Sequence, residues 1–432
     1  MLRNLPKLFI LNTFLISTIL VSFNCHKDSS TAPPAPAEIH IIVKSSIDSS
    51  LVYNANVVLY NANSGEALLR SSSGNDGSAD FSINSGGSFY VRIAAQSFRE
   101  LPEENVSPVP FSVSASQKYS QTYYLDTLQG TFGKIDGSIT PHQPGVLIVA
   151  ASSIAGNEKH TYSGPDGYFV LFNVPFGTYE MDAIKAGYQL EEHPQVNLTV
   201  DTSSVTMLLN LNQITGSVLT GRVTFLAAHN GIVDISLLDR NSMSVITGLT
   251  TKIDSNRVYT LNNIPAGEYT AWASYENDGF VMDPDWIFKN PGALNITFTS
   301  DSSKILDFSV TDAIIILSPT NPDNLIIPAL ADSIIPTFSW DPYPQAKEYI
   351  IEVRDINGNL VWGGFTASGE IRHSQIPKEW NSVIFNFDGS ALTQLQHGEI
   401  YQWRIYADDD AAPNVQTLLS SSEDLKGLFI TP

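Results

Sequence analysis

The chain has 432 residues, too many for one ordinary hydrophobic core and enough for about three or four domains. Its formal net charge of -21 repels phosphate backbones, and Lys and Arg stand singly, so no basic patch exists to bind nucleic acid. One cysteine, Cys25, excludes disulfides within the chain and thiolate metal clusters, and the charged fraction of only 16% suits strand-rich domains outside the cytoplasm.

The N-terminus reads "MLRNLPKLFILNTFLISTILVSFNC". Arg3 and Lys7 form a positive segment, and Leu8 to Phe23 an apolar stretch of signal-peptide length, short of the roughly 20 residues of a spanning helix. A cysteine directly after it, followed by "HKDSSTAPPAPA", resembles a bacterial lipoprotein signal. Ser22, Phe23 and Asn24 stand where that family usually has Leu, a small residue and Gly or Ala. The resemblance implies a signal peptide over 1–24, a lipidated Cys25, and a Ser/Pro-rich tether over 25–36. It also implies a membrane partner through the lipid and a place in the bacterial cell envelope, at the outer membrane, on its periplasmic or surface face. Ordinary cleavage and an uncleaved anchor are the alternatives.

Three stretches downstream share one pattern: "NDGSADFSINSGGSFYVRI", "PDGYFVLFNVPFGTYEM" and "SNRVYTLNNIPAGEYTA". Phe169 aligns with Tyr259, Leu171 with Leu261, Asn173 with Asn263, Pro175 with Pro265, Gly177 with Gly267 and Tyr179 with Tyr269. One period upstream, Asp76-Gly77 aligns with Asp166-Gly167 and Phe89 with Tyr179. Asp-Gly signals a hairpin, alternating "YFVLFNV" a half-buried strand, and Pro-x-Gly a second turn. In the next strand Tyr179, Met181 and Ala183 point inward and Glu180 and Asp182 outward. Inward positions of the other copies are Phe89, Val91 and Ile93, and Tyr269, Ala271 and Ala273. Further strands flank each copy, among them "NVVLYNA", "GVLIVAAS" and "GIVDISLLD", so each copy is a small sandwich. Residues 137 to 188 resemble the carboxypeptidase regulatory-like domain family, a transthyretin-like or starch-binding-like β-sandwich. That resemblance implies repeats over 37–128, 129–213 and 214–312 that serve as accessory modules without catalytic residues.

Beyond 312 the period breaks. "IPTFSWDPYPQAKEYIIEVRDINGNLVW" groups Phe338 with Trp340 and Tyr349 with Ile351 and Val353, and "EIYQWRIYADDD" groups Tyr401, Trp403 and Ile405. This resembles a fibronectin type III-like domain over 313–432, with its tryptophans in the core. The fold expected is all-β: a tandem array of four small antiparallel β-sandwich domains.

The search for chemistry returns little. The eight histidines form no HxxE or HExxH zinc pattern and read as surface or loop residues, and no nucleophile elbow or phosphate loop occurs. The similar collagen-adhesin B-type sandwiches weld Lys to Asn with help from a Glu four residues after the aromatic. Here Ile93, Ala183 and Ala273 hold that position, which argues against isopeptide bonds. Asp408, Asp409 and Asp410 are candidate calcium ligands, set against the reading of a solvated acidic loop. No cofactor is expected. In the third repeat Trp272 takes the outward place of Asp182, and with Tyr275 and Trp286 it offers aromatic faces for a sugar, unless the loop buries it against a neighbour.

The expected function is a non-catalytic, lipid-anchored envelope protein whose sandwiches act as spacer and binding scaffold for a glycan or protein. A carbohydrate-binding subunit of a nutrient-uptake assembly is the alternative. A cryptic hydrolase is a third reading, whose mark would be a pocket of converging carboxylates.

Overall fold

The computed structural model describes residues 35–102, 108–154, 156–274, 276–284, 294–321, 328–355, 359–366, 369–409, 418–423 and 425–432. The signal segment, Cys25 and most of the tether lie outside them. The described residues form strands and turns and no helix, arranged as paired sheets of the expected sandwich class.

The three repeats share one topology. In the second, one sheet holds Tyr168–Val174, Gly133–Thr140, Ser204–Gln213 and Tyr188–Leu190, and the other Lys159–Tyr162, Leu147–Ser152, Gly177–Ile184 and Gln195–Leu198. Ala37–Ser45 and Ser217–Phe225 occupy the place of Gly133–Thr140 in the other copies. In every copy the strand at this place pairs antiparallel on one side and parallel with the repeat's last strands on the other. The expected hairpins are corrected here. Asp76-Gly77 and Asp166-Gly167 each carry the chain from one sheet to the facing one, and so does the Pro-x-Gly turn at 175–177. Gly77 and Gly167 do sit at positive φ, 70° and 73°, as the turn chemistry demands. In the third copy Arg257 takes that conformation at 63°.

The shared residues have local causes. The hydroxyls of Tyr179 and Tyr269 donate to the carbonyls of Pro175 and Pro265 at 2.7 and 2.9 Å, which ties the Pro-x-Gly turn to the core. The first copy lacks that proline and carries Phe89. Gly137 and Gly221 lie where the central strand passes under an aromatic ring and beside the last strands. A Cβ at Gly137 would stand 2.1 Å from the Met207 carbonyl oxygen, and one at Gly221 1.7 Å from that of Leu306.

Burial shows how the repeats meet. Val57 and Leu59 fill the first repeat's own core, while Val58 and Tyr60, on the other face of the same strand, join a second cluster. Ile148 and Ala150 likewise fill the second repeat's core, while Leu147 and Val149 join that same second cluster. It is continuous with the core of the third repeat, where Ile235 and Leu237 lie. At roughly 1.5–3 kcal/mol for each fully buried large apolar side chain, this makes a rigid junction rather than a hinge. "YFVLFNV" is buried on both faces rather than half-buried. The first repeat also touches the last domain, where Ala62 and Tyr90 meet Leu425 and Leu428.

In the last domain, Ile316–Ser318, Thr337–Trp340 and Ser382–Ile384 face a larger sheet built on Glu348–Asp355 and Ile400–Asp408. Phe338, Trp340, Tyr349, Ile351, Trp403 and Ile405 form one core. The Trp403 indole donates to the Pro319 carbonyl at 2.7 Å. Two histidines depart from the surface reading. His373 is buried, with Nδ1 donating to the Ser374 carbonyl and Nε2 accepting from the Ile351 amide. Burial, then the charges of Arg92 and Lys159, lower His160 from 6.5 to about 3.

Each repeat is also gripped by its successor through the loop after its inward-facing strand. Asn173, at a bulge with φ 54°, accepts from the Ser97 amide at 2.8 Å and donates to the Ala95 and Phe98 carbonyls at 2.8 and 2.7 Å. Asn263, at φ 60°, presents its carbonyl to the Gly187 amide at 2.7 Å. Asparagine tolerates this left-handed conformation better than most residues.

Two outcomes are expected. Gly137→Ala, which must displace the last strand, lowers unfolding stability by about 1–3 kcal/mol in denaturant titration. Asn173→Ala leaves polar groups at the seam without partners, costs about 1–3 kcal/mol, and makes the 95–98 loop a new site of limited proteolysis.

Candidate functional site

A hollow of about 1220 Å³ lies between the third repeat and the last domain. His229, Asp278, Thr311 and Asp312 line it from the repeat, and Asp341, Tyr343, Glu423 and Lys426 from the last domain. The seam is bonded directly. The Ser420 hydroxyl donates to the Asp312 carbonyl at 2.6 Å, the Ile314 amide to the Ser421 carbonyl at 2.9 Å, and the hydroxyls of Thr311 and Tyr343 lie 2.6 Å apart.

Most of its acids hold the fold together. Asp312 accepts from the Ala228 amide at 2.7 Å and pairs with His229 Nδ1 at 2.6 Å, and the His229 ring stacks on Phe280. Glu423 Oε1 accepts the amides of Asp278 and Gly279 at 3.0 and 2.9 Å. This is the same grip that Asn173 makes, with a carboxylate in place of the amide. Asp341 is exposed. The arrangement offers a polar, acid-lined surface for binding. Two of these acids, Asp312 and Glu423, are committed to backbone amides and His229.

His229 and Asp312, 83 positions apart in the sequence, meet because their strands pair parallel, with Phe225 opposite Val310. An antiparallel reading of the repeat hides that pairing. Glu423 stands in "SSSEDLKG", which carries no periodic or turn signal for a docking residue.

Of the aromatic candidates, Trp272 is 41% exposed, and its indole donates to the Ser274 carbonyl at 2.9 Å, at the start of the loop that walls the cleft. It is therefore not buried against a neighbour. Tyr275 and Trp286 lie outside the described residues, as does Asp410. Of the calcium candidates, the two described ones point apart. Asp408 is buried at the end of its strand, whereas Asp409 turns to solvent and pairs with Lys347 at 3.2 Å. Among the described residues no group of three His, Cys, Asp or Glu side chains is placed to hold a metal. Ile93, Ala183 and Ala273 are buried core residues.

No family model matches the chain. No curated protein matches it in sequence. Among solved structures, the Bacillus anthracis TIE protein aligns over 64% of this chain and 51% of its own, at 12% identity and a TM-score of 0.18. This chain thus spans about half the length of that protein. A Streptococcal ancillary pilin aligns over 63% and 98% at 12% identity and 0.19, and BcpA, the major pilin subunit of Bacillus cereus, over 64% and 100% at 10% and 0.18. Likenesses of this degree leave the function of this chain to its own residues.

The seam carries its own pH dependence. Burial, then the charge of Glu423, pushes Glu276 up from 4.5 to about 8, with Leu425, Arg404 and Lys426 acting the other way. Burial raises Glu423 as well. A carboxyl that holds its proton more tightly when docked favours docking at low pH, and that contribution is lost as pH rises from about 4.5 through 8. Denaturant stability of wild type relative to Glu276→Gln is expected to fall between pH 5 and pH 8. A constant difference across that range would refute the assignment.

Proposed function

We propose that the chain is a non-catalytic cell-envelope protein, anchored by a lipid on Cys25. Its sandwiches form a spacer and scaffold that presents the seam between the third repeat and the last domain to a glycan or protein. One observation carries this reading: the sandwich interiors are filled with buried side chains, and a hollow of about 1220 Å³ opens at a seam between domains. Closed β cores leave binding to their surfaces and junctions.

The anchoring is tested by metabolic labelling with a palmitate analogue, expected in wild type and lost in Cys25→Ala. Label retained in the variant would refute it. Turnover of any glycoside or peptide by the purified protein would overturn the non-catalytic reading.

A carbohydrate-binding role is a second reading, favoured by the exposed indole of Trp272 at the edge of the cleft loop. Glycan-array binding that disappears in Trp272→Ala, with unfolding unchanged, is its expected outcome. Binding that survives the substitution would remove Trp272 from the site.

A further inference from the structure

A second, smaller hollow of about 130 Å³ lies where all three repeats meet, remote in sequence from the acidic cleft. Tyr60, Tyr90 and Arg92 wall it from the first repeat, His160 and Tyr162 from the second, and the 242–245 turn from the third. In a chain of net charge -21 its one permanent charge is positive. Arg92 follows Val91 on its strand and so projects from the face opposite the first repeat's core.

The Arg92 guanidinium is incompletely matched. Its Nη1 is buried and has no hydrogen-bond acceptor, and the Glu100 carboxylate lies at 4.0 Å, too far for a hydrogen bond. Glu100 also belongs to an adjoining hollow of about 20 Å³, shared with Lys159, and not to the lining of this one. The acid behind the third-repeat wall, Asp239, is buried and accepts from the amides of Asn241 and Ser242 and from the Ser242 hydroxyl. An arginine cannot shed its proton, and although Arg92 is only half-buried and Glu100 offsets part of its charge, the buried Nη1 has a donor without an acceptor, which the place can supply.

The remaining wall supplies neutral donors and a shape. Tyr60 and Tyr90 stack at 4.7 Å, and Tyr162 meets Tyr60 edge-on while its hydroxyl is committed to the Val245 carbonyl at 2.6 Å. A hollow of this size, at about 130 Å³, accommodates one tetrahedral oxyanion. Arginine's planar fork is matched to two oxygens of such a group. The depressed His160 reports a site that is electropositive and poorly hydrated, the setting in which a bound anion is least screened.

We propose that this three-repeat junction is a binding site for a phosphate or sulfate group, seated on the Arg92 guanidinium and enclosed by Tyr60, Tyr90 and His160. It rests on none of the residues of the cleft. The group arrives either as the free ion or as the terminal substituent of a larger molecule entering past Met243, which is exposed at the mouth.

The test compares the full chain in inorganic phosphate, in inorganic sulfate, in glucose 6-phosphate and in chloride, all at equal ionic strength, by thermal unfolding and by line broadening of the phosphorus resonance. A saturable rise in Tm with phosphate or sulfate over chloride is expected. Affinity should weaken at least tenfold in Arg92→Lys, which keeps the charge and loses the fork, and about threefold or more in Tyr90→Phe. Binding of glucose 6-phosphate at least as tight as inorganic phosphate assigns the site to a substituent, and exclusion of it assigns the site to the free ion. Equal Tm and unbroadened phosphate in wild type would overturn the proposal, as would binding unchanged in both variants. Tyr90→Phe keeps the test valid should Arg92→Lys not fold.

Discussion

The structure depends on one recurring contact: the loop after each repeat's inward-facing strand is held by polar groups of the domain that follows. Asn173 closes on Ala95, Ser97 and Phe98, Asn263 on Gly187, and Glu423 on Asp278 and Gly279. Loop backbone amides and carbonyls buried at a seam must find partners, and the next domain supplies them, through the side chains of Asn173 and Glu423 and the backbone carbonyl of Asn263. Each contact fixes the angle between neighbours, and the apolar cluster shared by the repeats then has a defined geometry to fill. The last domain solves the same problem with a carboxylate. That choice brings charge into the seam and makes it sensitive to pH.

A second consequence is the position of the two hollows. Sandwiches this small fill their interiors with aromatic and branched side chains, and these two hollows open where domains meet. The seam of the third repeat and the last domain leaves a large acidic cleft, and the junction of the three repeats leaves a small one around a guanidinium. The two are opposite in charge and unlike in size. One suits a broad polar partner and the other a single compact anion.

Much of the architecture was legible from residue pattern alone, because strand periodicity and turn chemistry are local. Alternation identified the inward faces at Phe89, Tyr179 and Tyr269, and the tryptophans at 340 and 403 as core. The unbroken apolar runs "NVVLYNA" and "GVLIVAAS" also carried a message that alternation alone does not decode, since they are apolar on both faces because they serve two cores. Asp-Gly indicated a turn correctly and its destination wrongly. A turn residue specifies φ, and whether the chain then stays in its sheet or crosses to the facing one depends on where the next strand finds its partner.

By itself the sequence determined the strand-rich class, the threefold repetition and the filled interiors, all of which follow from composition, period and short-range backbone preference. Tertiary structure alone decided that His229 meets Asp312, that Glu423 reaches the third repeat and that Arg92 lies among tyrosines of two repeats. These encounters join residues far apart along the chain, and parallel pairing and domain packing, which have no local signature, set them.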